Sequence, residues 1–248
     1  MPNYEFRMPR LFVNAPLAGG SAVSLERNQA NYLVNVLRLP RGGELLLFNG
    51  RDGEWRARLA GSKKALTAEV GEQTRPQPPA NDLHFLFAPL KHVRLDYLVQ
   101  KAVEMGASRI RPVLTRFTQV ARVNVERMRA NTIEAAQQCG VLNVPEVGEP
   151  LAFAALLAGL EPQRLLVFCD EDAEVKDPVA ALAAARPAGK LAVLIGPEGG
   201  FAEEERHALL KQAKVVRLAL GPRILRADTA AVAALALVQA VLGDWRGE

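Results

Sequence analysis

Apolar residues recur along this chain first at alternate positions and later in unbroken runs, and the change divides the sequence. Residues 10–13 read as a short strand, 44–48 as a second, 54–59 as an alternating third and 65–70 as a fourth. The stretch 49–53, Asn-Gly-Arg-Asp-Gly, offers the positive φ that a hairpin turn needs. One helical pattern interrupts these strands, at 27–38, with Ala30, Leu33, Val34 and Leu37 on a single face. Beyond residue 82 the runs at 83–88, 110–114, 165–169, 191–195 and 215–220 are apolar but for His84, Arg111 and Arg217. Between them lie helical patterns at 93–105, 126–138, 178–185, 203–212 and 226–242, the first with its stripe at Leu95, Leu98, Val99 and Ala102 and closed by Gly106. Continuous apolar strands separated by helices predict an α/β domain around a buried parallel sheet. The segment 74–82, with three prolines in nine residues, predicts a stiff linker. The expected organisation is a small β module at 1–73, the linker at 74–82 and the α/β domain at 83–248.

At 248 residues with 49% hydrophobic side chains, the chain can bury a substantial core. No apolar run approaches the ~20 residues that span a bilayer, and MPNYEFRMPR lacks a signal-peptide core, so a cytoplasmic protein without membrane partner is expected. Cys139 and Cys169 lie among apolar residues and read as reduced, buried thiols. His84, His92 and His207 are too scattered for a ligand cluster, so no metal is expected. The net charge of +4 changes this picture only through its distribution. Residues 1–75 hold eleven Lys and Arg against seven Asp and Glu, whereas the remainder holds twenty of each. Residues 109–129 add six arginines against Glu126 alone, while 170–177 carry five acids and one lysine. A basic first module with a second basic stretch is the pattern of a polyanion-binding protein.

Candidate chemistry sits where two of the predicted strands end, since ligands of parallel sheets bind at the carboxyl ends of strands. The loops are Ile195-Gly-Pro-Glu-Gly-Gly200 and Leu220-Gly-Pro-Arg-Ile-Leu-Arg226. Neither is a Walker loop or a G-x-G-x-x-G fingerprint. Glu198 with Glu203, Glu204 and Glu205 would repel a pyrophosphate, although acids in a first helical turn also complement the helix dipole. A neutral or partly cationic ligand such as S-adenosylmethionine fits; a plain tight turn between strand and helix uses the same glycines. In the second loop Arg226 opens a helix that is almost wholly apolar after Asp228-Thr229. Such a helix must be buried, within the domain or between subunits, and the arginine either pairs with Asp228 or a carbonyl, or faces a substrate oxygen.

IGPEGGF at 195–201 and LGPRILRADTA at 220–230 resemble the two cofactor-loop motifs of the RsmE family, the 16S ribosomal RNA uridine-N3 methyltransferases of the SPOUT superfamily. The similarity extends to RLFV at 10–13, NYLVNVLRLPRGGELLLFNG at 31–50, KHVRLDYLVQKAVEMGASRIRPVLTRFT at 91–118 and EAAQQCG at 134–140. The resemblance implies a PUA-like β-barrel followed by a SPOUT-type domain whose C-terminal third forms a trefoil knot, a homodimer, S-adenosylmethionine as cofactor and 16S ribosomal RNA, within the small subunit, as partner. Carried over by position, the cofactor pocket is lined by Leu194, Ile195, Gly196, Pro197, Glu198, Gly199, Gly200, Leu220, Gly221, Ile224, Leu225, Arg226 and Thr229. Where the family often has Glu this chain has Asp228, and where the family usually has Arg after Gln-Cys-Gly it has Val141. For methylation at N3 the expected catalytic residues are Arg226, beside a uracil oxygen, and Asp228 or a water as proton acceptor. Arg10, Arg38, Arg41, Arg116 and Arg122 are the expected phosphate contacts. The rival readings are a non-catalytic RNA-binding protein of the same fold and a knotted methyltransferase acting on another RNA.

Overall fold

The alternating first segment folds as a sheet because each strand has one apolar side to cover. The computed structural model describes residues 8–62, 65–120, 122–185 and 189–246; residues 1–7, part of the stretch without a signal-peptide core, lie outside them. Contacts divide the chain into two units, Met1–Ala80 with Ala136–Val144, and Asn81–Ala135 with Pro145–Glu248. No helix among the described residues is long and apolar enough to cross a membrane.

The first unit holds β1 (Arg10–Phe12), β2 (Ala22–Ser24), α1 (Arg27–Asn31), β3 (Glu44–Phe48), β4 (Glu54–Ser62) and β5 (Ala65–Arg75). The strands form one sheet in the order β1-β3-β4-β5-β2, antiparallel except for β1 against β3. Inward residues of successive strands, among them Leu11, Val23, Leu45, Leu47, Leu59, Ala68 and Val70, make a single core. The pattern at 27–38 does not become one helix. A π-helical turn, Tyr32–Val36, replaces its second half, closed by the Leu37 N–H to Tyr32 carbonyl bond at 2.9 Å. This wider turn drives Leu33 fully into the core and leaves Val34, Val36 and Leu37 exposed. β2 is three residues with one buried side chain, too short to show a period. β5 runs two residues into the segment expected as linker, because Thr74 Oγ1 donates to the Glu54 carbonyl and Arg75 pairs with the Glu54 carboxylate.

Glu54 is the buried charge of this unit, its side chain 4% exposed. Arg10 Nε reaches Oε1 at 2.7 Å and Arg75 Nε reaches Oε2 at 2.8 Å. Both arginines continue to carbonyls at 136–141, Arg10 to Ala136, Gln137 and Val141 and Arg75 to Gly140. Ala136 and Gln137 lie in the last turn of the helix Val125–Cys139, where carbonyls run out of intrahelical donors, and Gly140 and Val141 follow it, so guanidinium groups supply donors at this helix end. The Arg10 guanidinium also stacks on Phe48, 4.5 Å from the ring centre.

The second unit contains β6 (Leu83–Phe87), α2 (His92–Glu104), β7 (Arg109–Leu114), α3 (Val125–Cys139, whose last residues group with the first unit), β8 (Glu146–Val147), β9 (Leu151–Ala152), α4 (Phe153–Ala158), β10 (Leu165–Cys169), α5 (Pro178–Ala184), β11 (Leu191–Ile195), α6 (Glu203–Leu210), β12 (Val215–Leu218) and α7 (Ala227–Val241). Its sheet is parallel throughout, in the order β12-β10-β11-β6-β7-β8, with β9 pairing β7. Leu86, Leu166, Phe168, Ala192 and Leu194 share one face with Leu156 of α4 and Leu209 of α6. Phe85, Phe87, Val167, Val193 and Ile195 alternate with them and are equally buried, and α7 packs against α2, α5 and β11. The sequence pattern shows the five long strands and misses β8, β9 and α4, which are two, two and six residues long.

Burial pushes the Glu54 carboxyl up, but the hydrogen bonds from Arg75 and Arg10 outweigh it and hold it below its ordinary value of 4.5. A depressed folded pKa contributes stability that is present above pH 4.5 and lost as the pH falls through the folded value. Glu54→Ala is expected to cost about 3 kcal/mol at neutral pH by leaving two half-buried guanidinium groups unpaired. Urea midpoints of the two proteins should therefore converge in acid. Equal midpoints at pH 7 would remove this role from Glu54.

Candidate functional site

β10 lies between β12 and β11, parallel to both, with Phe168 opposite Leu194 on one side and Cys169 opposite Leu218 on the other. This register brings the ends of all three strands, and the loops that leave them, to the same edge. The loops enclose a cavity of about 420 Å³. Of the residues expected there, Ile195, Gly196, Pro197, Glu198, Gly199 and Gly200 line it from the first loop, and Leu220, Gly221, Ile224, Leu225 and Arg226 from the second.

Leu194, Thr229 and Asp228 do not line it. Leu194 sits one residue inside the strand, and its side chain belongs to the sheet core, 0% exposed. The start of α7 sends Arg226, Ala227 and Ala230 toward the cavity, spaced as one helical face. Asp228 and Thr229 fall on another face, where Asp228 Oδ1 accepts the Thr229 N–H at 2.9 Å. Arg226 is not buried at the helix start, as the apolar sequence after it had implied; it is the exposed N-cap residue, with no ion pair to Asp228. The acids expected to repel a pyrophosphate also differ in place. Glu205 hydrogen-bonds the N–H groups of Ala202 and Arg116, and Glu203 pairs with His207, all outside the cavity. The carboxylates on the wall are Glu198, 3.6 Å from Arg94, and Asp170 and Glu171.

Glu171 belongs to a wall that the sequence reading missed, made of Cys169, Asp170 and Glu171 where β10 ends, with Leu218 and Arg223. A run of acids directly after a parallel strand was the available signal. Asp170 is fully buried, its side chain 0% exposed, and accepts from Arg217 Nε at 2.9 Å while Arg206 Nη2 lies at 3.3 Å. Arg206 also reaches Asp172 at 2.6 Å and Glu171 at 3.4 Å. The Cys169 thiol is pushed up to about 12 by burial and the neighbouring Asp170 charge, so it stays protonated and is no nucleophile. Cys139 and Cys169 are both free.

Two glycines are required by the shape of the loops. A Cβ on Gly196 would stand 3.0 Å from the Phe201 ring, which packs edge-on against Phe168 and tilted against Phe153. Gly221 has φ +89°, where an L side chain is strained.

The arginines expected to meet RNA separate into two kinds. Arg38, Arg41, Arg116 and Arg122 are exposed. Arg38 holds a positive φ of 53° at the end of the π-helical turn. Arg10 is turned inward, its side chain 10% exposed and bound to Glu54 and three carbonyls. It serves the fold, and its RNA-contact assignment is withdrawn on that ground. Asp82 and Arg164 form a separate pair at 2.7 Å near His84, whose pKa falls to about 4 through burial and the charges of Arg164 and Arg109.

The cavity has what a compact cationic nucleoside needs: apolar walls at Ile195, Leu218 and Ile224, close backbone approach at the glycines, and carboxylates beside them. Comparison with known proteins agrees with this chemistry. A family model described as an RNA methyltransferase domain matches residues 76–239, and one described as an RNA methyltransferase PUA domain matches 25–71. The chain is 29% identical to the ribosomal RNA small subunit methyltransferase E of Rickettsia conorii, covering 93% of this chain and 94% of that protein. To the protein of the same name from Synechocystis it is 31% identical, over 90% and 74%. A crystal structure of a ribosomal RNA small subunit methyltransferase E from Neisseria gonorrhoeae, bound to S-adenosyl methionine, superposes with a TM-score of 0.86 at 29% identity, covering 96% and 99%.

Gly196→Ala should press its methyl group onto the Phe201 ring, which is packed against Phe168 and Phe153, at a cost of about 1–3 kcal/mol. Calorimetry of the variant should show a lowered Tm; an unchanged one would mean that Phe201 can yield.

Proposed function

This chain belongs to the RNA methyltransferase family, and from that premise we propose that it transfers a methyl group from S-adenosylmethionine to N3 of one uridine in the 16S ribosomal RNA of the small subunit. The observation that carries the reading is the cavity built from two Gly-Pro loops at adjacent strand ends, with apolar residues and carboxylates on its walls. Named relatives along nearly the whole chain support the substrate class. Residues 195–200, Leu220, Gly221, Ile224, Leu225 and Arg226 would hold the donor, with Leu194 as their support from the sheet core and Thr229 outside the lining. When bound, the donor supplies an electrophilic methyl group.

What the chain itself must do is handle the uracil. Its imide N–H is a poor nucleophile until the proton leaves, and the charge then spreads to O2 and O4. The Arg226 guanidinium, exposed at the cavity and engaged by no carboxylate among the described residues, would stabilise that oxygen where charge develops. Asp228 does not line the cavity and accepts the Thr229 N–H, which favours a water over that carboxylate as the direct proton acceptor. Holding the base against the methyl group accounts for much of the remaining acceleration. The base must first leave its stack. Arg38, Arg41, Arg116 and Arg122 would hold the flanking phosphates.

The chain would act in the cytoplasm as a homodimer. Ile224 is 93% exposed beside the cavity and Val93 is 84% exposed on α2, apolar surface that a second copy would cover. The knot implied by the family resemblance would form where the chain, after β12 at the sheet edge, turns back to pack α7 on β11 and α2. We assign RNA positioning to 1–73, a linker to 74–82 and methyl transfer to 83–248, with Ala136–Val144 grouped structurally with the first unit.

Labelled methyl transfer to unmodified small subunits, free 16S RNA and transfer RNA, followed by nucleoside identification, tests the reading. 3-Methyluridine from small-subunit RNA alone is expected; label on transfer RNA or on a ribose would overturn the substrate. Arg226→Ala should keep donor affinity and lose transfer by about a hundredfold or more, and wild-type turnover in that variant would end its proposed role.

A further inference from the structure

Resting on the reading of the cavity as a methyl-donor site, we infer that Glu171 is the residue that recognises the donor's positive charge and so sets the preference for the charged donor over its uncharged remnants. Three observations meet at this side chain. Glu171 lines the cavity, and its Oε1 lies 3.5 Å from where a Cβ on Gly200 would be, so the carboxylate leans over the glycine loop. Its main chain is held from both sides. Asp170 is buried between Arg206 and Arg217, the Asp172 N–H donates to Asp170 Oδ1 at 3.2 Å, and Lys176 Nζ reaches the Glu171 carbonyl at 3.2 Å.

The third observation is charge. The stretch Asp170, Glu171, Asp172, Glu174 and Asp177 contributes five carboxylates, and the cations that meet it are Arg206, Arg217 and Lys176. Two negative charges remain uncompensated, and Glu171 is the member of this stretch that is both on the cavity wall and only weakly held, 3.4 Å from an arginine that Asp172 engages at 2.6 Å. Of the other wall carboxylates, Asp170 is taken by Arg206 and Arg217, and Glu198 lies 3.6 Å from Arg94. Arg223 and Arg226 also line the cavity, from the second loop. A ligand with a cationic centre therefore settles with that centre toward Glu171, which leaves the arginines to the oxygens of the substrate. Gly200 itself has φ +70°, a conformation that L side chains rarely adopt, with Glu171 and Arg206 Nη2 at ordinary contact distance above it.

The test is calorimetric binding of three ligands to wild type, Glu171→Gln and Glu174→Gln. S-adenosylmethionine carries a sulfonium and an ammonium, S-adenosylhomocysteine only the ammonium, and methylthioadenosine neither. Glu171→Gln is expected to weaken S-adenosylmethionine by about tenfold, S-adenosylhomocysteine by less and methylthioadenosine not at all, while Glu174→Gln, off the wall, changes none. Equal weakening of all three by Glu171→Gln would show a carboxylate that holds the ribose or the loop, and would overturn the inference. So would unchanged affinity for S-adenosylmethionine, or an equal loss in Glu174→Gln. Failure of the wild type to bind any of the three would overturn the donor reading of the cavity itself, and this inference with it.

Discussion

The parallel pairing of β10 with β11 on one side and β12 on the other is the constraint on which the rest depends. Parallel strands cannot be joined by a hairpin, so each requires a crossover that returns to the opposite end of the sheet. Every loop that leaves a strand therefore emerges at the same edge. Three such loops, separated along the chain by some twenty-five residues each, become neighbours, and the cavity is the space between them. Both faces of these strands are buried, which fixes the register: a slip of one residue would exchange the side chains of the two faces and break both cores.

Each unit also contains one carboxylate buried between two arginines. Glu54 lies between Arg10 and Arg75, and Asp170 between Arg206 and Arg217. Such groups contribute less to net stability than their short distances suggest, because desolvation offsets much of the attraction. Their value here is directional. Glu54 aims two guanidinium groups at carbonyls near the end of α3, and Asp170 fixes the backbone that carries Glu171 to the cavity wall. Losing either carboxylate would misdirect a neighbour as well as leave a charge unpaired.

Glycine loops after parallel strands are most often associated with phosphates, and the acids around these loops argue otherwise. The geometry sharpens that argument by changing which acids matter. Glu203 and Glu205 are occupied at the start of α6, whereas Glu171 and Glu198 face the ligand space. A cavity lined by both carboxylates and arginines suits a donor with a cationic centre next to a substrate that becomes an anion as it reacts. The proposed methyl transfer to uracil joins those two requirements in one site.

By itself the sequence determined the long elements, the change from alternating to continuous apolar strands, and the two Gly-Pro loops with their family resemblance. These are legible because helical and strand periods, turn residues and motif spacing are properties of near neighbours in the chain. The short elements β2, β8, β9 and α4 were not legible, since two to six residues carry no measurable period. Only the tertiary structure decided that the third wall of the cavity comes from Cys169, Asp170 and Glu171, because strand order is settled by which apolar faces fit together across the whole sheet. It also decided the direction of single side chains: Arg10 turned inward to Glu54, Arg226 toward the cavity and Asp228 away from it. A residue's type and spacing state what it can bind, but the phase of its helix and the partners brought from elsewhere in the chain decide what it meets.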